Sequence, residues 1–207
     1  MAIYVFLLNG IRYRTKSSAR LFNGTKTKGF AGRKNNNLVV VGPWGGNGGS
    51  SWDDGCFTGV REITLVYGDC IDSIQVVYDK HGKPFKADRH GGTRGNETDE
   101  IKLQYPDEFL IGVSGHYCPA WLNGTPVIRS LVFKSNITTY GPYGVEEGTP
   151  FDFTMEGCKI VGFKGRSGWY LDSIGFTLSP KQSKTLLQKL KNCFGCGLAY
   201  FKRFCNV

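Results

Sequence analysis

The sequence predicts an all-β fold, and three observations carry the prediction. Glycine is abundant, at 29 of 207 residues. Aromatic residues reach 14% and stand among many Val, Ile and Thr, the residue types that suit a pleated, half-buried surface. From Val39 to Pro180, short runs of alternating apolar and polar residues are separated by clusters of Gly, Pro, Asn and Asp, the period-2 signature of strands joined by tight turns. The glycines follow no collagen period, so their excess marks turns. No apolar stretch approaches the about 20 residues of a membrane-spanning helix.

The runs follow one another in pairs. Residues 61–67 and 73–78 flank Gly68-Asp69, and residues 100–105 and 109–114 flank Pro106-Asp107. Residues 127–133, 158–163 and 171–178 complete the set. Val41-Gly-Pro-Trp-Gly-Gly46 is echoed by Tyr140-Gly-Pro-Tyr-Gly144, a weak internal repeat that implies quasi-symmetric packing. Three such units fit a three-sided arrangement. The periodicity itself leaves a sandwich, a barrel and a prism open.

Charge divides the chain into three parts. The formal net charge is +9. Residues 1–37 hold eight Lys and Arg and no acid, and residues 181–207 hold six and no acid. The remaining twelve basic residues face all seventeen acidic ones, so residues 38–180 carry a net −5. The basic signal therefore belongs to the ends, and no nucleic-acid partner is expected for the folded part. Residues 1–37 are expected to form a disordered basic extension, 38–180 the domain and 181–207 a basic amphipathic tail. In that tail Leu187, Leu190, Phe194, Leu198, Phe201 and Cys205 recur at helical spacing, which suits weak contact with an anionic membrane surface. The plain alternative is a frayed helix, interrupted by Gly195 and Gly197.

The seven cysteines show no disulfide framework, and Cys193-x-x-Cys196 lacks the second ligand pair of a zinc site. The N-terminus lacks the basic start and small-residue cleavage site of a secretory signal, so a cytoplasmic or nucleocytoplasmic location is expected. Catalytic constellations are equally absent. His81 and His90 lie in polar, turn-like contexts and are expected to be solvated. The carboxylate pairs Asp53-Asp54, Asp107-Glu108 and Glu146-Glu147 suggest glycoside hydrolysis only superficially, because adjacent carboxylates point apart. No helix follows either glycine cluster, so neither is a phosphate loop. What remains is Gly168-Trp-Tyr-Leu-Asp172, where free backbone N–H groups stand beside one carboxylate. A sugar hydroxyl can donate to the carboxylate and accept from an N–H, with Trp169 and Tyr170 as flat apolar faces. A plain β-turn capped by Asp172 is the competing reading.

Many ordered motifs carry a resemblance. Val41-Gly-Pro-Trp-Gly-Gly-Asn-Gly-Gly49, Trp52-Asp-Asp-Gly55, Phe57-Thr-Gly-Val-Arg-Glu-Ile63, Tyr105-Pro-Asp-Glu-Phe-Leu110, Glu147-Gly-Thr-Pro-Phe151 and Ile160-Val-Gly-Phe-Lys-Gly-Arg-Ser-Gly168 with Leu171-Asp-Ser-Ile-Gly175 resemble a jacalin-related lectin. The likeness runs over 38–180. It implies a β-prism of three four-stranded Greek-key sheets around a pseudo-threefold axis, and sugar binding without catalysis, cofactor or metal.

The resemblance also implies which residues bind. Gly168, Trp169, Tyr170, Leu171 and Asp172 match the loop that holds hydroxyls 4, 5 and 6 of one hexose, and Gly49 matches the glycine whose N–H meets hydroxyl 3. A loop at 115–126, with His116, Tyr117 and Trp121, matches the one that tunes specificity. In the galactose-binding branch the chain is cut just before the glycine matching Gly49. Here Gly-Gly-Asn-Gly-Gly is unbroken, which is similar to the artocarpin-type mannose/glucose binders of the cytoplasm. The implied partners are mannose- and glucose-type glycans, with homo-oligomer formation and a role in plant defence. The alternatives are a galactose-preferring lectin of the same fold and a membrane-associated adaptor acting through the basic ends.

Overall fold

The structure, a computed structural model, describes residues 38–181 and the segments Leu7–Leu8, Ile11–Arg12 and Arg14–Thr15. The expectations for Cys193-x-x-Cys196 and for the amphipathic stripe after residue 181 fall outside the described residues. All described regular structure is strand, in chain order β1 to β16.

Three long hairpins form the frame: β6 (Gly59–Tyr67) with β7 (Ile71–Lys80), β11 (Leu110–Pro119) with β12 (Pro126–Ser135), and β15 (Cys158–Ser167) with β16 (Leu171–Pro180). Each gains two outer strands. β10 (Glu97–Lys102) and β8 (Lys83–Lys86) flank the first pair; β13 (Thr139–Gly144) and β14 (Thr149–Thr154) flank the second. The third pair is flanked by β4 (Val39–Gly45) and β5 (Ser50–Asp53). Each set of four has Greek-key order, and the third is closed by joining the first and last strands of residues 38–181. β9 (His90–Gly91) adds to β7, and β3 (Arg14–Thr15) pairs with Phe153 and Thr154 at the outer edge of β14. That last pairing departs from the expectation that the N-terminal extension adds no strand. β1 (Leu7–Leu8) and β2 (Ile11–Arg12) pair with each other.

The three sheets share one core. Ile63, Leu65, Ile74, Tyr78, Leu110, Ile128, Leu131, Phe133, Phe163, Ile174 and Phe176 are fully buried. Phe163 makes edge-on contacts with Phe133 and Phe176 at 6.3 and 6.2 Å, so aromatic rings from two sheets meet. Tyr78 links sheets as well: its hydroxyl donates to Asp54 at 2.6 Å and accepts from the Phe163 N–H at 3.1 Å.

The quasi-threefold repeat is visible in single hydrogen bonds. Gly46 N–H donates to Asp172 O at 2.9 Å, Gly92 N–H to Asp72 O at 3.0 Å and Val145 N–H to Arg129 O at 3.0 Å. Before each donor stands a glycine with positive φ: Gly45, Gly91 and Gly144 at 117°, 113° and 79°. A Cβ on each would lie within 2.2 Å of the same three carbonyl oxygens, so only glycine permits the approach. The repeat seen in the sequence at residues 41–46 and 140–144 therefore has a third member at His90-Gly-Gly92, too diverged to be recognised from sequence.

His90 corrects an expectation. It is half-buried rather than solvated: its Nε2 lies 2.6 Å from Asp54 Oδ1 and its ring stacks on Trp52 at 3.9 Å. Asp53 and Asp54 do point apart, the first toward Lys164 at 2.7 Å and the second toward Tyr78 and His90.

Candidate functional site

Four loops converge at one end of the prism. The first is the glycine run between β4 and β5, the second the turn between β15 and β16, and the third the loop from β11 to β12. The fourth, residues 91–95, lies at the same position one third of the way round.

The turn Gly168–Leu171 is closed by the Gly168 N–H donating to Tyr170 O at 3.0 Å. It delivers Asp172 at the first positions of β16, where the residue is only 6% exposed. Its Oδ2 is buried and accepts no well-formed hydrogen bond from the described residues. A buried carboxylate oxygen without a donor is costly, and it marks where an incoming hydroxyl hydrogen gains most. Burial pushes the Asp172 carboxyl above its usual pKa; the Gly168 N–H, already committed to Tyr170, and the positive charge of Arg166 pull it only part of the way back.

The glycine run passes close against that carboxylate. A Cβ on Gly48 would sit 2.1 Å from Asp172 Oδ1, so any side chain there would displace the carboxylate. Gly49 has φ of 56° and passes so close to β15 that a Cβ would lie 2.3 Å from Ser167 O. Gly168 is different. A Cβ there would meet Gly49 Cα at 3.4 Å, Asp172 Oδ2 at 3.6 Å and Gly49 N at 3.8 Å, all ordinary contacts. The space left by the missing side chain of Gly168 thus lies between one acceptor and one backbone donor.

Aromatic side chains surround this space. Trp169 is 68% exposed, and Trp121 lies 6.2 Å from the Tyr170 ring. The stretch expected as a loop at 115–126 is shorter, because β11 continues to Pro119. His116 and Tyr117 therefore sit in a strand. His116 Nδ1 is 3.0 Å from Ser130 Oγ, and Tyr117 packs against the core beside Phe151. Of the three residues named for that loop, only Trp121 is at its tip, next to Leu122, which is 90% exposed. Leu171 is fully buried, so its side chain does not face a ligand.

Two residues at this end were not read as site residues from the sequence. The Arg94 guanidinium stacks on the Trp169 ring at 4.4 Å, and Arg166 hydrogen-bonds the glycine run. Both lie more than 70 residues from what they touch, or belong to a loop recognisable only after folding. Among the described residues no group of three or more His, Cys, Asp or Glu is placed to hold a metal ion.

The threefold relation shows what is particular to this end. Asp72 and Arg129 occupy the positions equivalent to Asp172. Asp72 is 3% exposed, and burial pushes its carboxyl above the usual pKa while the nearby backbone N–H groups of Arg94 and Gly95 pull it back. Arg129 pairs with Glu147 at 3.0 Å. Of the two carboxylates, Asp172 is the one with a buried oxygen left without a partner.

Three Greek-key sheets around a shared core, with loops gathered at one end, define the β-prism class. Residues 41–177 match the family described as the Jacalin-like lectin domain. Jacalin-related lectin 19 of Arabidopsis thaliana is 65% identical over 156 residues, covering 75% of this chain and 89% of that protein. A galactose-specific lectin of Morus indica is 45% identical over 146 residues, covering 68% of this chain and 92% of that protein. Among solved structures, a mannose-specific jacalin-related lectin of Morus nigra in complex with mannose superposes with a TM-score of 0.67 at 49% identity, covering 75% of this chain and 99% of that one. The chain belongs to the jacalin-related lectins. It is a carbohydrate-binding lectin, and its relatives are not enzymes.

Proposed function

We propose that this lectin binds mannose and glucose in preference to galactose, as free sugars and in mannose-containing glycans, through Asp172 and surrounding backbone N–H groups, without a metal. The observation that carries this reading is the bare Oδ2 of Asp172 beside the Gly49 amide. The carboxylate accepts two hydroxyl hydrogens, while the N–H groups of Gly49, Tyr170 and Leu171 donate to sugar oxygens. Trp169, Tyr170 and Trp121 line the rim, and His116 and Tyr117 act from behind by fixing the strand from which the Trp121 loop departs.

Similarity alone leaves the hexose open, because relatives of nearly equal identity are named for mannose and for galactose. The unbroken Gly45-Gly-Asn-Gly-Gly49 run favours mannose and glucose. It offers a neutral amide at Gly49 where a cut chain would offer a charged amine. The test is elution from immobilised mannose. Methyl-α-mannoside should release the protein and EDTA should not; release by methyl-α-galactoside alone would overturn the preference.

A cytoplasmic location, a role in plant defence and self-association belong to the same reading. Several shallow sites on one oligomer would raise avidity for branched glycans without any new contact. Sedimentation velocity checks the oligomer, cell fractionation checks the compartment, and challenge of plants lacking the protein checks the role.

A further inference from the structure

We propose that Arg166 is the positioning residue of the sugar site: its guanidinium holds the carbonyls of Gly48 and Gly49 and so aims the Gly49 N–H at the ligand. The inference rests on the sugar-site reading above and adds what makes a glycine run usable as a binding element.

Arg166 is on β15, opposite Ser51 of β5 and Ser173 of β16. Its Nε donates to Gly48 O at 2.8 Å and its Nη2 to Gly49 O at 2.6 Å. A trans peptide is planar, so the carbonyl of residue 48 and the N–H of residue 49 point in opposite directions. Holding the Gly48 carbonyl toward Arg166 therefore turns the Gly49 N–H away from it. The second bond fixes the next peptide plane, across the positive φ of 56° at Gly49. A rigid planar fork suits two neighbouring carbonyls as no single ammonium can.

The run needs such a clamp. Residues 45–49 are Gly-Gly-Asn-Gly-Gly, with almost no side chain to pack, and glycine loses more conformational freedom on ordering than any other residue. The Gly46 N–H bond to Asp172 O secures its first half, and Arg166 secures its second. The same guanidinium lies near enough to Asp172 to oppose the upward push of burial on that carboxyl. The other elements around Asp172 bring little charge. Residues 45–50 and 120–126 contain no ionisable side chain, residues 168–171 contain only Tyr170, and Arg94 of the 91–95 loop is stacked on Trp169.

Two substitutions separate the clamp from the charge. Arg166→Met removes both, and Arg166→Lys keeps the charge without the fork. Each is titrated calorimetrically, as the full chain, with whichever methyl hexoside the parent protein binds, from neutral pH downward. If the freed run adopts the binding geometry a tenth of the time, affinity falls about tenfold. We expect a loss of that size in both variants. The pH at which binding is lost should rise in Arg166→Met and stay near the parent value in Arg166→Lys. Thermal transitions identify any variant that fails to fold, and the lysine variant then carries the comparison. Variants that bind within about twofold of the parent overturn the role of Arg166 and leave the sugar site standing. Full restoration of affinity by lysine also overturns it, since charge alone would then suffice. A parent protein that binds neither methyl hexoside overturns the site reading and this inference together.

Discussion

Asp172 and Gly168 place opposite demands on the protein. Asp172 is buried rather than solvent-facing. Its folded pKa is raised above that of the unfolded chain. Its contribution to stability is therefore fully present below the unfolded value and is lost as pH rises through the folded one. Binding runs the other way, because the ionised form is needed and fails as pH falls through that same folded value. Asp172→Asn should remove two charged hydrogen bonds at ~1.5–3 kcal/mol each, on the order of 3 kcal/mol in all. Its unfolding temperature at neutral pH should match or exceed that of the parent; a large drop would assign Asp172 a capping role. Gly168→Ala offers an independent check. Its Cβ has room but stands between Asp172 Oδ2 and Gly49 N, so the variant should fold normally and lose sugar binding. Gly49→Ala should instead destabilise, by at least about 1–2 kcal/mol for its left-handed backbone, with the clash against Ser167 added. Comparing melting curves with calorimetry for the pair distinguishes a filled site from a strained loop.

At the scale of elements, the long central strands were legible and most of the outer ones were not. All seven runs predicted from alternation occur as strands, although β10 (Glu97–Lys102) ends before Leu103 and Tyr105. Outer strands β4, β5, β8, β13 and β14 went unrecognised, and all but β5 contain a proline: Pro43, Pro84, Pro142 and Pro150. Proline lacks a donor and is tolerated only at such edges, so the feature that makes an edge also hides it. Gly162 and Gly165 lie within β15, where carbonyls of Gly55 and Ser173 crowd their Cβ positions. His90 escaped for a different reason: Asp54, its partner, is 36 residues away. Tyr78 tests how the sheets are joined. Tyr78→Phe leaves the Phe163 N–H buried without its acceptor and should cost about 1–3 kcal/mol. Urea denaturation measures this, and an unchanged midpoint would mean the hydroxyl bridge contributes nothing.

The whole molecule repeats one unit three times and leaves a bare carboxylate oxygen at one of the three equivalent positions at one end of the prism. The sequence pointed to that end because Gly168-x-x-x-Asp172 and the run to Gly49 are both contiguous motifs. It did not show Arg94 or Arg166, whose roles arise from contacts across the fold. The charge division predicts that residues 38–180 suffice. Those 143 residues contain every strand of the three Greek keys and every site residue named, enough chain to bury a core. The fragment should bind methyl-α-mannoside like the full chain and show weaker, less salt-sensitive attraction to anionic lipid. The pairing of β3 with β14 is the feature most able to contradict this. An insoluble fragment, or one binding about tenfold more weakly, would mean that edge strand belongs to the domain.

The most direct measurement is an amide-resolved NMR titration of the full chain with methyl-α-mannoside. The site defined by Asp172 predicts saturable shifts at Gly48, Gly49, Tyr170, Leu171 and Asp172, with small changes at Arg94 through its stacking on Trp169. The amides of Asp69, Cys70 and Asp72 should stay fixed, since the bare buried carboxylate oxygen belongs to Asp172 and not to Asp72. Shifts as large around Asp72 as around Asp172, or none at Gly49 and Asp172 with saturation elsewhere, would contradict the account.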